Sequence, residues 1–123
     1  MMPFEQWLDC ILRSASHVAS REYQEKAWLP GGTVVSSPEE IYLSLMEDCT
    51  SDLFFETYGH RFNGEQLEAW SELRSRLEAY YDKLPRNPDR LRVLRDPEWD
   101  LVRESAKKFV LVFQHPSPEA RRG

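Results

Sequence analysis

The residues with the greatest potential for recognition chemistry are carboxylates in the middle of the chain. Residues 39–78 contain ten acidic and three basic residues, a net charge of −7, although the whole 123-residue chain carries only −5. At about 100° per residue on a helical wheel, Glu47 faces away from the apolar stripe and Asp48 lies at its edge. With Asp52 and Glu56 on a following short helix, these residues predict an acidic patch beside aromatic side chains, typical of a surface that attracts a basic protein. Ordinary solvation, with Asp48 or Asp52 capping a helix, is the alternative.

A short basic stretch follows the acidic region. Residues 83–95 contain five basic residues and one acidic residue, a net charge of +4. Phosphate binding favours a broad basic surface, whereas these cations belong to a chain of negative net charge. We therefore expect a solvated face or pairing with the acidic region. A small helical nucleic-acid-binding regulator that uses Arg90 and Arg92 is the alternative function.

Histidines and cysteines show no spacing typical of a metal or catalytic site. The available ligands are Cys10, His17, Cys49, His60 and His115, without a C-x-x-C or H-x-x-x-H pattern. No G-x-S-x-G motif or glycine-rich phosphate loop occurs either. The sequence predicts no metal, no cofactor and no catalytic residues, and hence a protein that is not an enzyme.

The two cysteines are too few for a disulfide scaffold. In a reducing compartment we expect both to be free thiols. Cys49 continues an apolar helical face, which predicts a small core residue, and Cys10 falls on the polar side of the first helix.

Composition favours a compact cytoplasmic protein. Hydrophobic residues make up 41% of the chain and aromatic residues 12%, which is enough for a packed core. The longest apolar run, Phe109–Phe113, has five residues, whereas a bilayer span needs about 20. Residues 1–7 lack the basic and apolar regions of a secretory signal, so we expect neither export nor membrane insertion.

Apolar residues recur at helical spacing through most of the chain and predict an all-α, compact single-domain bundle of about five to seven helices. We expect one domain over residues 1–114 and a frayed tail over 115–123. The expected helices cover residues 4–20, 21–28, 38–49, 53–58, 64–84, 88–94 and 97–113.

Local start signals support two of these helices. Ser37-Pro38-Glu39-Glu40 combines a capping serine with proline at the first helical position, and Asn63 precedes Gln66 in the same manner. Thr50-Ser51-Asp52 can cap the short helix that follows.

The segment Phe109–Phe113 also suits a buried strand. A lone strand would need a partner, and Val34-Val35 is the only other β-like pair in the sequence. We therefore favour a helix over residues 109–113.

The order of these signals resembles that of small all-helical immunity proteins from bacterial contact-dependent growth inhibition and related polymorphic toxin systems. The resemblance covers most of residues 4–113. It is carried by Tyr23 through Ala27-Trp28 with Pro30-Gly31-Gly32, Pro38-Glu39-Glu40-Ile41, Leu45-Met46-Glu47-Asp48 with Asp52-Leu53, Gln66-Leu67 through Leu77-Glu78-Ala79-Tyr80, and Asp96-Pro97-Glu98-Trp99 with Val102 and Ala106.

This resemblance implies a cytoplasmic bacterial protein that binds a cognate toxin domain and neutralises it by protein–protein contact. Many such toxins are nucleases with basic clefts, in which an acidic inhibitor takes the place of phosphates. The implied partner-binding residues are Glu47, Asp48, Asp52 and Glu56 for electrostatic contacts and Tyr58 as an aromatic anchor.

Overall fold

The computed structural model describes residues 2–32, 36–86 and 88–114. Within these ranges the chain forms seven α-helices, a π-helical turn and a 3₁₀ turn, without a strand. The elements are α1 (Phe4–Ala19), α2 (Arg21–Trp28), α3 (Pro38–Leu43), the π-helical turn (Ser44–Asp48), α4 (Ser51–Tyr58), the 3₁₀ turn (Gly59–Arg61), α5 (Gly64–Lys83), α6 (Arg90–Leu94) and α7 (Pro97–Gln114). The prediction of an all-α bundle is confirmed. No helix in these ranges is long and apolar enough to cross a bilayer.

Helix α7 forms the centre of the bundle and packs along both α1 and α5. Its inward residues Trp99, Val102 and Phe109 are almost completely buried, as their spacing along one helical face requires. Residues 109–113 are therefore helical, as favoured, because the helix that begins at Pro97 continues through this β-prone segment.

Predicted caps fix the entry of two helices. The Ser37 hydroxyl accepts a hydrogen bond from the Glu40 amide at 3.1 Å. Asn63 and Gln66 form a reciprocal capping box at the start of α5, which satisfies two amides that would otherwise lack partners. These local signals place α3 and α5 where the sequence predicts them.

A large aromatic cluster fills the end of the bundle where α1, α4 and α7 meet. Neighbouring ring centroids lie 4.6–6.2 Å apart, the range in which aromatic pairs attract each other. Its members are Phe4, Trp7, Phe54, Phe55, Tyr58, Phe62, Trp70, Phe109 and Phe113. The cluster fixes α4 against the rest of the core.

A buried glutamine, Gln24 of α2, joins α1, α2 and α7 near the C-terminal end of α1. The Gln24 side chain is 0% exposed and donates to the carbonyls of His17 and Val18 at 2.9 and 2.8 Å. Its own carbonyl oxygen accepts from Trp99 Nε1 and Arg103 Nη1, each at 2.9 Å. Gln24 therefore links the end of α1 to α7 through a fully satisfied buried network.

The segment after α3 differs from the expected single helix over 38–49. Regular α-helix ends at Leu43, and a π-helical turn follows, in which the Cys49 amide bonds the Ser44 carbonyl at 3.0 Å. Thr50 then adopts a left-handed conformation (φ 45°, ψ 51°), and its hydroxyl donates to the Cys49 carbonyl instead of capping α4. Thr50 of the predicted capping segment Thr50-Ser51-Asp52 thus precedes α4 without forming a side-chain cap.

The prediction of free thiols is also wrong, since Cys10 and Cys49 form a disulfide. Their Cα atoms lie 5.9 Å apart, within the range that a disulfide bridges. Cys49 is completely buried, as predicted. The sequence predicts Cys10 on the polar side of α1, but it is partly buried because the π-helical turn packs against that side of the helix. The pairing depends on this tertiary contact between residues 39 positions apart.

Other sequence predictions change at element ends. Helix α6 starts at Arg90, capped by the Asp89 side chain, which accepts from the Leu91 amide at 3.0 Å. Pro88, the second residue of the predicted start Asn87-Pro88, precedes the helix. Asn87 itself, the pair Val34-Val35 and the expected tail over 115–123 lie outside the described residues.

Candidate functional site

The candidate site is built around an irregular segment that presents two of the predicted acidic residues. The π-helical turn and the two residues after it, residues 44–50, are called the acidic turn below. Glu47 and Asp48 lie on it with exposed side chains. A π-helical turn inserts a residue into the helical repeat and frequently marks a functional site.

One face of α1 holds the acidic turn at three points. Trp7 Nε1 donates to the Cys49 carbonyl at 2.5 Å, and Cys10 is bonded to Cys49. The Ser14 hydroxyl lies 3.1 Å from the Ser44 hydroxyl and 3.3 Å from the Cys49 sulfur. Positions 7, 10 and 14 fall within about 60° of one another on a helical wheel, so a single stripe of α1 fixes the turn.

A further buried bond connects the turn to the next helix. The Ser51 hydroxyl, 0% exposed, donates to the Leu45 carbonyl at 2.5 Å. This carbonyl lies inside the π-helical turn, where the regular helical hydrogen-bond pattern is interrupted. The turn is therefore tied to both α1 and α4.

A depression of about 470 Å³ lies between the acidic turn and the α1–α2 junction. Three carboxylates border it, those of Glu40, Glu47 and Asp48, together with His17 and Tyr23. None of the three has a basic side chain within ion-pair distance among the described residues. The depression is therefore bordered by uncompensated negative charge.

The histidine in this depression does not offset that charge. Its ring stacks on Tyr23 with centroids 4.1 Å apart. Burial, and secondarily the charge of Arg13, lowers the pKa of His17 below its ordinary value of 6.5. The neutral form of His17 therefore predominates at pH 7, and the imidazole offsets little of the negative charge of the three carboxylates.

Asp52 and Glu56 belong to a separate depression of about 350 Å³ between α4 and α5. Arg74 Nε and Nη2 donate to the two carboxylate oxygens of Asp52 at 2.7 and 3.2 Å, and this hydrogen bonding raises the pKa of Arg74. Asp52 is therefore compensated by a cation from α5. Glu56 is exposed. The four predicted acidic residues thus border two different depressions, Glu47 and Asp48 one and Asp52 and Glu56 the other.

Tyr58 is placed inside the aromatic cluster. Its ring centroid lies 5.0 Å from that of Phe4 and 6.1 Å from that of Trp7. The Arg61 guanidinium lies 3.8 Å from the Phe4 ring centroid and 6.0 Å from that of Tyr58, so it covers the edge of the cluster. Tyr58 is partly buried by these contacts.

The exposed apolar residue of α4 is Leu53, with 48% of its surface accessible. Sequence reasoning did not single it out, because the apolar spacing of α4 assigns Leu53 to the same run as Phe54 and Phe55. Only the direction from which the core contacts α4 separates the exposed leucine from the buried Phe54.

The basic stretch is exposed and does not pair with the acidic region. Arg86, Arg90, Arg92 and Arg95 are exposed, and no carboxylate of the described ranges comes within ion-pair distance of them. Of the two expected arrangements, the solvated face is therefore the one observed.

A depression of about 390 Å³ beside this stretch has mixed charge. Lys83 and Arg92 border it, but so do Asp89, Asp96 and Glu98. The Tyr80 hydroxyl donates to Asp96 at 2.7 Å. Because carboxylates surround the two cations, this concave surface is not uniformly positive.

Within residues 2–32, 36–86 and 88–114, no three His, Cys, Asp or Glu side chains converge as ligands for a metal ion.

The chain matches no protein-family model, no curated protein and no solved structure. Of the three depressions described above, the one beside the acidic turn has the most uniform charge.

Proposed function

We propose that this protein is an immunity protein that captures a bacterial toxin domain, a nuclease with a basic cleft, by direct protein–protein contact. The observation that carries the proposal is the uncompensated charge of Glu40, Glu47 and Asp48 around one depression. A basic side chain about 4 Å from a carboxylate gains about 1 kcal/mol in water and about 4 kcal/mol near a protein surface. Such a surface favours a cationic partner over an anionic one.

The rigidity of the acidic turn supports a binding role. Trp7 of α1 and Ser51 of α4 donate to two of its backbone carbonyls, and the Ser14 hydroxyl of α1 contacts the Ser44 hydroxyl. A surface held in its bound geometry loses little conformational entropy on association. Preorganised carboxylates also accelerate encounter with a basic partner. Both effects suit an inhibitor that has to bind its toxin quickly and tightly.

The decisive experiment reverses charge on the acidic turn. Glu47→Lys combined with Asp48→Lys should weaken binding to the cognate toxin domain on the order of 100-fold, because each reversal replaces attraction with repulsion. Calorimetry measures the affinity, and co-expression with the toxin measures rescue of growth.

The matched control reverses two exposed acidic residues elsewhere, Glu68→Lys and Glu104→Lys on α5 and α7. It changes the net charge equally, so it separates local contact from general electrostatics. If both double variants bind and protect equally, the acidic turn is not the binding surface. Circular dichroism establishes that each variant retains its helical content.

A second candidate function, a nucleic-acid-binding regulator, is favoured by one observation: the arginines of the basic stretch have no carboxylate partner in the described part of the chain. Arg90→Ala with Arg92→Ala would then lower the salt dependence of nucleic-acid affinity by about two phosphate contacts. If the variant and the wild type showed the same nucleic-acid affinity at every salt concentration, this function would be eliminated.

A further inference from the structure

The disulfide lies at the middle of the three points where α1 holds the acidic turn. We infer that Cys10–Cys49 is a thiol-sensitive clamp that keeps the acidic turn in its binding conformation, so that reduction weakens capture of the basic partner. The inference rests on the proposed function, because it concerns regulation of the same surface.

The position of the disulfide relative to the carboxylates carries this inference. Cys49 directly follows Asp48, and its carbonyl and sulfur are both held by α1, through Trp7 and Ser14. Displacement of Cys49 therefore displaces the two carboxylates that precede it. The clamp acts on the candidate site through the backbone, without contacting the partner.

Reduction should move the acidic turn and leave α1 in place. Helix α1 spans 16 residues and packs along α7. The turn is a five-residue π-helical segment followed by the left-handed Thr50. A left-handed conformation is unfavourable for a β-branched residue and persists only where surrounding contacts impose it. Once a covalent contact is lost, the turn is the less stable of the two partners.

The two cysteines differ in exposure, which favours attack at Cys10. Cys49 is 0% exposed, whereas Cys10 is partly exposed. A thiolate of a soluble dithiol attacks the Cys10 sulfur, forms a mixed disulfide there and releases Cys49 as a thiolate, which takes up a proton. The second thiol of the dithiol then displaces Cys10 as a thiol and becomes the oxidised, cyclic disulfide. Two electrons and two protons pass from the dithiol to the cysteine pair.

The test compares the wild-type protein before and after treatment with dithiothreitol, using amide hydrogen exchange and toxin affinity. Exchange at the Cys49 and Thr50 amides, which bond Ser44 and Glu47 carbonyls, should accelerate at least tenfold on reduction. If the reduced turn adopts its binding conformation about a tenth of the time, affinity falls about tenfold.

Cys10→Ser is the matched variant, since it removes the clamp without altering the buried Cys49. It should exchange and bind like the reduced wild type and should not respond to dithiothreitol. Amides in the middle of α7 provide the internal control and should remain protected in every sample.

The possible results distinguish failure of the clamp from failure of the proposed function. Unchanged exchange at Cys49 and Thr50 overturns the clamp, and so does accelerated exchange with unchanged toxin affinity. If neither redox form binds the toxin, the proposed function fails. The clamp is then decided by the exchange measurement alone, which does not require a partner.

Discussion

Replacement of Gln24 by methionine tests whether the buried polar network holds the bundle together. Methionine has a similar length and is accommodated in cores, but it forms none of the four hydrogen bonds of Gln24. The variant leaves Trp99 Nε1 and one Arg103 donor without their acceptor, and the His17 and Val18 carbonyls without their donor.

The expected loss of stability follows from these four contacts. A buried neutral group left without a partner costs roughly 1–3 kcal/mol, and a hydrogen bond to a charged group contributes roughly 1.5–3 kcal/mol. Arg103 keeps its bonds to the Leu94 carbonyl and Asp100, and partial relaxation lowers the sum. We expect Gln24→Met to lower the free energy of unfolding by roughly 4 kcal/mol, a large share of the 5–15 kcal/mol typical of a domain.

Urea unfolding monitored by circular dichroism measures this loss. With a slope of about 2 kcal/mol/M, the midpoint should fall by about 2 M while the slope itself is unchanged. Gln6→Met, at an exposed position of α1, is the control and should alter stability by less than about 0.5 kcal/mol. A loss below 1 kcal/mol for Gln24→Met would refute the structural importance of the network.

A double replacement separates the hydrogen-bond network from simple packing. When both members of a buried pair become apolar, the penalty of an unpaired group disappears. Gln24→Met with Arg103→Met should therefore cost clearly less than the sum of the two single losses. Strict additivity would mean that the two side chains act independently, contrary to the hydrogen bond between them.

The other predictions concern the acidic turn and its surroundings. Thr50→Asn should raise the free energy of unfolding by roughly 0.5–1 kcal/mol, measured by urea unfolding, since asparagine tolerates the left-handed conformation of this residue. The lowered pKa of His17 means that the unfolded chain binds more protons below pH 6.5, so its contribution to stability is present above pH 6.5 and declines as the pH falls. His17→Gln should flatten that pH dependence in thermal unfolding between pH 7 and 5, and an unchanged slope would contradict the assignment. A double-mutant cycle on Asp52 and Arg74, with alanine at each position, should give a coupling energy below about 1 kcal/mol, because both side chains are more than a third exposed.

Much of the fold follows from signals local in sequence. The proline that begins α3 and the capping box of α5 each act within four residues, so their effects can be inferred without tertiary information. The amphipathic spacing of α1 and α7 likewise predicts which face each helix buries.

Features of the candidate site depend instead on contacts between distant segments. The Cys10–Cys49 pair and the Asp52–Arg74 pair join residues 39 and 22 positions apart. The burial of Gln24 has the same origin, since a glutamine in a polar helix is normally exposed and this one is enclosed by contacts with α1 and α7. Such pairings arise from the packing of complete helices, so the spacing of residues within a single segment does not predict them.

These long-range contacts change the electrostatic argument for partner binding. The predicted patch assigned similar roles to Glu47, Asp48 and Asp52, as though each carboxylate were available. The bidentate contact with Arg74 compensates Asp52, whereas the charge of Glu47 and Asp48 adds to that of Glu40 around one depression. Under the proposed function, we expect a basic partner to gain more at the acidic turn than at Asp52. Because α1 holds that turn through Trp7 and Ser14 as well as the disulfide, we expect replacements on α1 that loosen the turn to weaken capture of the proposed partner even though they leave the carboxylates unchanged.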